Sequence, residues 1–263
     1  MNAFMAFYNM SFNPFDKDIN VKYGFKSNDF SQVMDRLNYL KQIKGMGLIT
    51  GEPGSGKTFI LRSFVETLNP SLFKAVYIPI ATLTVMDFYR ALCHGLGIIP
   101  PFRKVDMFRE IQQAIYSYSV NKGVTPVIII DEAQFISNAI LNDLRLILNF
   151  DMLILSGQTP LIYQLNRQTH EALRQRSLLN YTIGGLSKDE TKAYIEYMLK
   201  AAGVAVPIFN DSAIELLFTT TNGYIRKINN LVTMSLVAGS QAQRRTIDGE
   251  LVYQSQNELS IKS

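Results

Sequence analysis

Between residues 46 and 183 short apolar runs alternate with stretches whose apolar positions recur every three or four residues. Val127-Ile128-Ile129-Ile130 is unbroken, the pattern of a strand buried on both faces. A helix is expected with apolar positions 30, 33, 34, 37 and 40, then a strand over 46–50 and a helix carrying Phe59, Ile60, Leu61, Phe64, Val65 and Leu68. A strand over 74–80, a helix from Val85 to Leu96 and a helix near 105–121 follow. Next come a strand over 126–130, a helix over 138–149, a strand over 152–156, a short helix over 160–166 and a strand near 178–183. Such alternation predicts an α/β fold, a parallel sheet covered by helices on both faces. The 149–153 turn is at the short end for a helix-to-strand connection.

After Leu186 the strand pattern stops. Ser187-Lys188-Asp189-Glu190 is a capping box that opens a helix to about Ala202, because serine and glutamate three apart can each bond the other's backbone N–H. Helices near 211–220 and 223–238 follow, then a weak tail. The expected organisation is an N-terminal segment over 1–26 leading into a nucleotide pocket, an α/β core over 27–185 and a helical lid with its tail over 186–263.

Composition narrows the class. Of 263 residues 47% are hydrophobic and 18% charged, which predicts a packed core rather than disorder. No apolar run approaches a membrane span, and the opening MNAFMAFYNMSF lacks a basic leader, so a cytoplasmic chain is expected. Cys93, the lone cysteine, sits in an apolar helical pattern and is expected to be buried. His94 and His170 have no metal-ligand spacing and are expected at the surface.

Candidate chemistry concentrates in two places. Gly51-Glu52-Pro53-Gly54-Ser55-Gly56-Lys57-Thr58 fits G-x-x-x-x-G-K-[ST] between an apolar run and a helical pattern, the context this motif needs. Its glycines let backbone N–H groups turn toward phosphates, and the following helix, from Phe59 on, adds the positive end of its dipole. Lys57 is expected to reach the β- and γ-phosphates of ATP, and the Thr58 hydroxyl to ligate Mg²⁺. The second place is the end of the 126–130 strand. There Asp131 is expected to hold Mg²⁺ through water, and Glu132 to polarise the attacking water. Leu155-Ser156-Gly157-Gln158 lacks a glycine of the ABC-type signature and follows the acidic strand instead of preceding it; no guanine-reading N-K-x-D is present.

The chain resembles the ExeA/TniB-type branch of AAA+ proteins, which joins a secretion ATPase to the ATPase helpers of DNA transposition. The matching stretches are Asn13-Pro14-Phe15, GEPGSGKT, IIIDEAQ (128–134), LRLILNFD (144–151), LSGQTPL (155–161), LRQRS (173–177), GLSKDET (185–191) and NGYIRKINNL (222–231). The resemblance implies a P-loop AAA+ core with a five-stranded parallel sheet, a small helical lid, ATP hydrolysis and homo-oligomers, as a ring or a filament. It implies that Gln158, with Ser156 second, senses the γ-phosphate. Arg176 or Arg174 would reach the ATP of a neighbouring subunit, and charge alone does not separate the two. Arg226 would couple the lid to the bound nucleotide. Tyr23 and Phe25 are aromatics that either pack on adenine or brace the N-terminal segment.

A net charge of +4 and a pI near 9.0 permit polyanion binding. Pro100-Pro101-Phe102-Arg103-Lys104 is a stiff loop with adjacent cations. By the resemblance, Arg103 and Lys104 would track duplex DNA, with a transposase as the further partner. Secretion ATPases of the ExeA kind carry a membrane span and a peptidoglycan-binding region after the ATPase part, and neither is read here. Transposition is therefore the leading expectation, with secretion and an ATP-gated interaction switch as alternatives.

Overall fold

Burial on both faces organises the three central strands, Gly45–Gly51, Thr125–Asp131 and Met152–Gly157. The computed structural model describes residues 3–16, 23–79, 84–147 and 152–259. Helices α1 (Ala3–Phe7) and α2 (Asn28–Ile43) precede strand β1 (Gly45–Gly51), α3 (Lys57–Glu66), β2 (Phe73–Pro79), α4 (Val85–Leu96) and α5 (Lys104–Tyr116). There follow β3 (Thr125–Asp131), α6 (Asn138–Ile147), β4 (Met152–Gly157), α7 (Pro160–Leu165), α8 (Glu171–Arg174) and β5 (Ser177–Ile183). The last elements are α9 (Lys188–Ala201), α10 (Asp211–Thr221), α11 (Ile225–Gln241) and α12 (Gly249–Leu259). The five strands form one sheet in the order β2-β3-β4-β1-β5, and every pairing is parallel.

Contacts divide the chain into two units. One comprises residues 29–52 and 57–183, the other residues 1–28, 53–56 and 184–263. In the first, alternate residues of β3 enter opposite cores. Val127 and Ile129 pack with Val33, Leu37 and Leu40 of α2 and Ile60, Leu61 and Phe64 of α3. Ile128 and Ile130 pack with Phe88, Leu92, Met107, Ile111, Leu141 and Leu144 from α4, α5 and α6. A period of two with both faces apolar is what a central parallel strand requires. All seven residues of β3 are buried, so its end carries Asp131 into a site that the sheet holds rigid.

The second unit is helical. Phe4, Tyr8, Met10 and Phe15 share a core with α9, α10, α11 and α12, and the Tyr8 hydroxyl donates to the Arg244 carbonyl at 2.9 Å. Ser187 Oγ accepts from the Glu190 N–H at 3.2 Å, and a Glu190 carboxylate oxygen accepts from the Ser187 N–H at 3.0 Å: the capping box forms. Burial resists ionisation of Glu190, but these bonds and one from the Asn28 N–H outweigh it and hold its pKa below the usual carboxylate value. Gly223 has φ of 72°, and a Cβ there would stand 2.0 Å from the Leu186 carbonyl oxygen. The Leu186 N–H donates to the Gly223 carbonyl at 2.9 Å, so two backbone segments touch where no side chain fits.

Three expectations are corrected. The weak tail after 238 contains α12, which buries Leu251, Val252 and Ser255 and opens with Asp248 accepting from the Leu251 N–H at 3.0 Å. The helix near 105–121 becomes α-helix only to Tyr116, followed by a π-helical turn over Ser117–Asn121. His170 is buried at 1% exposure, with Nε2 2.9 Å from Asn138 Oδ1, because it packs on a short turn between α7 and α8 whose sequence has no periodicity. His94 is exposed and Cys93 is buried and free, as expected. The 149–153 turn and the end of the 74–80 strand involve residues outside the described ones.

Candidate active site

The carboxyl ends of β1, β3 and β4 bring the candidate residues together. Gly51 ends β1, and Lys57 and Thr58 open α3. Lys57 is only 5% exposed, and its ammonium donates to the carbonyls of Gly51 at 2.8 Å and Glu52 at 2.9 Å. A buried ammonium is retained only where acceptors surround it, so the loop is built around a cation. Gly54 and Gly56 have φ of 81° and 99°, conformations that turn successive N–H groups inward at little cost for glycine. In the helical unit, which includes residues 53–56, the Arg226 N–H donates to the Gly54 carbonyl at 3.2 Å. A Cβ at Gly54 would stand 2.4 Å from Arg226 Cβ. Ser55 Oγ is buried without a hydrogen-bond partner among the described residues.

Asp131 is a hub. Its Oδ2 accepts from the Thr58 hydroxyl at 2.7 Å and from the Tyr77 hydroxyl at 2.6 Å, and its Oδ1 accepts from the Glu132 N–H at 3.0 Å. Burial, then the bond to Asp131, pushes the Tyr77 pKa well above the usual tyrosine value, so Tyr77 stays a donor. Tyr77 comes from β2, far away in sequence, and nothing in the local pattern singles it out. Glu132 lies just beyond β3 with φ of 57°, a left-handed backbone unusual for a side chain larger than glycine. Its Oε2 accepts from the side-chain amide of Gln134 at 2.7 Å, and Gln134 Oε1 accepts from the Gln158 N–H at 3.0 Å.

Ser156 is fully buried in β4, and its hydroxyl has no hydrogen-bond partner among the described residues. Gln158 follows β4 and is half-buried. Arg174 and Arg176 precede β5; both are exposed, and Arg176 Nη1 donates to the Arg145 carbonyl at 3.0 Å. Arg226, near the start of α11, is exposed. Phe25 packs on Tyr194 and Tyr197 with ring centroids 5.7 and 5.8 Å apart, and Tyr23 packs on Phe12 at 5.0 Å. These contacts brace the N-terminal segment within the helical unit.

The DNA candidates are already occupied. Arg103 Nε donates to Asp106 at 2.7 Å. Lys104 pairs with Asp143 at 2.7 Å and lies over the Tyr89 ring, 5.1 Å from its centroid. Among the described residues there is no group of three or more histidine, cysteine, aspartate or glutamate side chains that could hold a metal, and no helix long and apolar enough to cross a membrane.

The residues fit Mg²⁺ and a nucleotide triphosphate. A hydroxyl and a carboxylate meet at one point, and a buried ammonium stands on the adjoining loop. These are oxygen donors for a hard cation and a cationic, donor-rich cradle for phosphate.

A family model described as AAA domain matches residues 41–165, from α2 through α7. This segment matches an AAA domain, and the parallel sheet carries the fold of the P-loop AAA+ ATPases. The General secretion pathway protein A of Aeromonas hydrophila is 28% identical over 260 residues, covering 94% of this chain and 47% of that protein. The chain thus spans about half the length of this relative. Among solved structures, Cdc6p from Pyrobaculum aerophilum superposes with a TM-score of 0.72 at 16% identity, over 94% of this chain and 71% of that one. The Aeropyrum pernix ORC1 protein, solved in complex with DNA, superposes with a TM-score of 0.66 at 14% identity, over 94% of this chain and 68% of that one.

Proposed function

We propose that this chain binds Mg²⁺–ATP and hydrolyses it to ADP and phosphate. The observation that carries the proposal is the 2.7 Å contact of Thr58 with Asp131 beside the buried ammonium of Lys57. Bound Mg²⁺–ATP supplies the phosphoryl group and the charge that makes it transferable. Thr58 and Asp131 would hold the metal, which would neutralise phosphate charge. Lys57, held here by two carbonyls, donates to the β- and γ-phosphates. Glu132 accepts the proton of the attacking water, and Gln158, with Ser156 second, answers to the γ-phosphate from the end of β4. Arg176, with Arg174 behind it, acts on the nucleotide of a neighbouring copy in a homo-oligomer.

The test is a pair of variants. Glu132→Gln keeps ATP binding and slows turnover by about tenfold or more, since it removes the proton acceptor and leaves the metal ligands. Lys57→Ala loses nucleotide binding. Hydrolysis at the wild-type rate by Glu132→Gln sinks the assignment of the base.

The setting favoured is secretion-linked work on a protein partner. The similarity to a secretion-pathway protein along nearly the whole chain supports it, as does the engagement of Arg103 and Lys104 by carboxylates. The second reading is ATP-controlled assembly on duplex DNA as a transposition helper. The net charge of +4 and the order of motifs shared with transposition ATPases support that one. A salt titration of fluorescent duplex, with and without a non-hydrolysable ATP analogue, separates them. Tight, steeply salt-dependent binding favours DNA, and no binding at low salt favours the protein partner.

A further inference from the structure

We infer that Gln134 is a positioning residue for Glu132, coupling the orientation of its carboxylate to the end of β4. This rests on the reading of Glu132 as the proton acceptor. The orientation of the Gln134 amide is decided by its neighbours. The Gln158 N–H can only donate, so it faces Oε1 at 3.0 Å. The Nε2 end of the amide is thereby turned to Glu132, and an ionised carboxylate can only accept; that bond is 2.7 Å. One side chain thus bridges the carboxylate beyond β3 and the backbone beyond β4.

The surroundings leave this bridge little freedom. Gln134 sits on the short 3₁₀ turn Ala133–Phe135, directly after the left-handed Glu132. Ala133 is buried in the core beneath the sheet, which anchors the turn. Gly157 closes the other side: a Cβ there would stand 2.7 Å from Gln134 Oε1 and 3.2 Å from its backbone nitrogen. Glycine at the end of β4 is what lets the amide lie against that strand. Gln158 is itself the candidate sensor of the γ-phosphate. A shift of its backbone therefore moves the acceptor end of Gln134, and the donor end moves with it. The carboxylate that must align a water molecule is set by the strand end that meets the phosphate.

Gln134→Met keeps the length and volume of the side chain and removes both hydrogen bonds. Turnover number and the affinity for a fluorescent ATP analogue are measured for Gln134→Met, Glu132→Gln and the double variant. Gln134→Ala, which crowds nothing, runs in parallel against misfolding by the methionine. The expected result is a kcat lowered about tenfold in Gln134→Met and Gln134→Ala, part of the roughly hundredfold or more that a positioned proton acceptor contributes. Analogue affinity should stay within about twofold, and the double variant should be no slower than Glu132→Gln alone, since residues that act as a unit are not additive. Wild-type kcat in both Gln134 variants overturns the inference, and so does a double variant whose loss is the product of the single losses. If Glu132→Gln itself turns over at the wild-type rate, the reading of Glu132 fails and this inference with it. A slow Glu132→Gln beside a normal Gln134→Met removes the inference alone.

Discussion

Lys57 and Lys104 each stand as the first residue of a helix, and the two loops that lead to them are held in opposite ways. The glycine-rich loop after β1 buries Lys57 against the carbonyl oxygens of Gly51 and Glu52. The loop through Pro100 and Pro101 leaves the Lys104 side chain 41% exposed and pairs it with Asp143. Carbonyl oxygens carry only partial negative charge, whereas the carboxylate that faces Lys104 carries a full one. Lys104 has a fixed partner and a ring beneath it. Formal charge in a loop is therefore a poor guide to a polyanion site until the acceptor facing each cation is known.

Arg176 tests the comparison most strongly. It lies at the surface, as Lys104 does, and one of its bonds runs to the Arg145 carbonyl. If Arg176 acts on the nucleotide of a neighbouring copy, Arg176→Ala should abolish the protein-concentration dependence of ATP hydrolysis and lower turnover by about a thousandfold, the scale of an arginine finger. Monomer affinity for ATP should be unchanged. Mixing it with Lys57→Ala should restore part of the activity at interfaces that pair an intact pocket with an intact arginine. No recovery from a demonstrated mixed assembly would remove Arg176 from that role.

Asp131→Ala comes next, on the buried side. It leaves the hydroxyls of Thr58 and Tyr77 without their shared acceptor and should cost about 2 kcal/mol of stability, read by denaturant titration. Tyr77→Phe removes one donor and keeps the acceptor satisfied by Thr58, so it should cost less than Asp131→Ala. Equal losses would mean that the hub is not what holds this corner together.

Ser187→Ala should lower stability by about 1 kcal/mol by breaking the capping box of α9, with no change in ATP affinity. A change in affinity would show that the cap serves the site as well as the helix. The smallest effect is expected from Arg103→Ala combined with Lys104→Ala. If Asp106 and Asp143 keep these cations, any duplex binding should retain its slope of log K against log[salt]. A slope shallower by about two units would mean that both touch phosphate and would break the comparison.

Much of the site is legible because its pieces are local. Gly51 through Thr58 are contiguous, and Asp131-Glu132 end an apolar run that announces itself. Tyr77 is not legible: it is one tyrosine in a strand, and its meeting with Asp131 depends on β2 and β3 lying side by side in register, with Tyr77 opposite Ile129. Gln134 belongs to a recognisable stretch, but its role needs the Gln158 N–H, which β4 brings from another part of the chain. The burial of His170 and the docking of α12 fail for the same reason. Each has few apolar neighbours in sequence and acquires its environment from elements distant along the chain.

The sequence by itself determined the alternation of strand and helix, the glycine-rich turn after β1 and the acidic end of β3, because periodicity and contiguous motifs act over a few residues, where backbone geometry leaves few choices. Tertiary structure alone decided the strand order β2-β3-β4-β1-β5, the pairing of Lys104 with Asp143 and the bridge from Glu132 through Gln134 to Gln158. Those outcomes depend on which distant surfaces pack together, and a hydrogen bond of 3 Å or less forms only after packing has brought both partners into place.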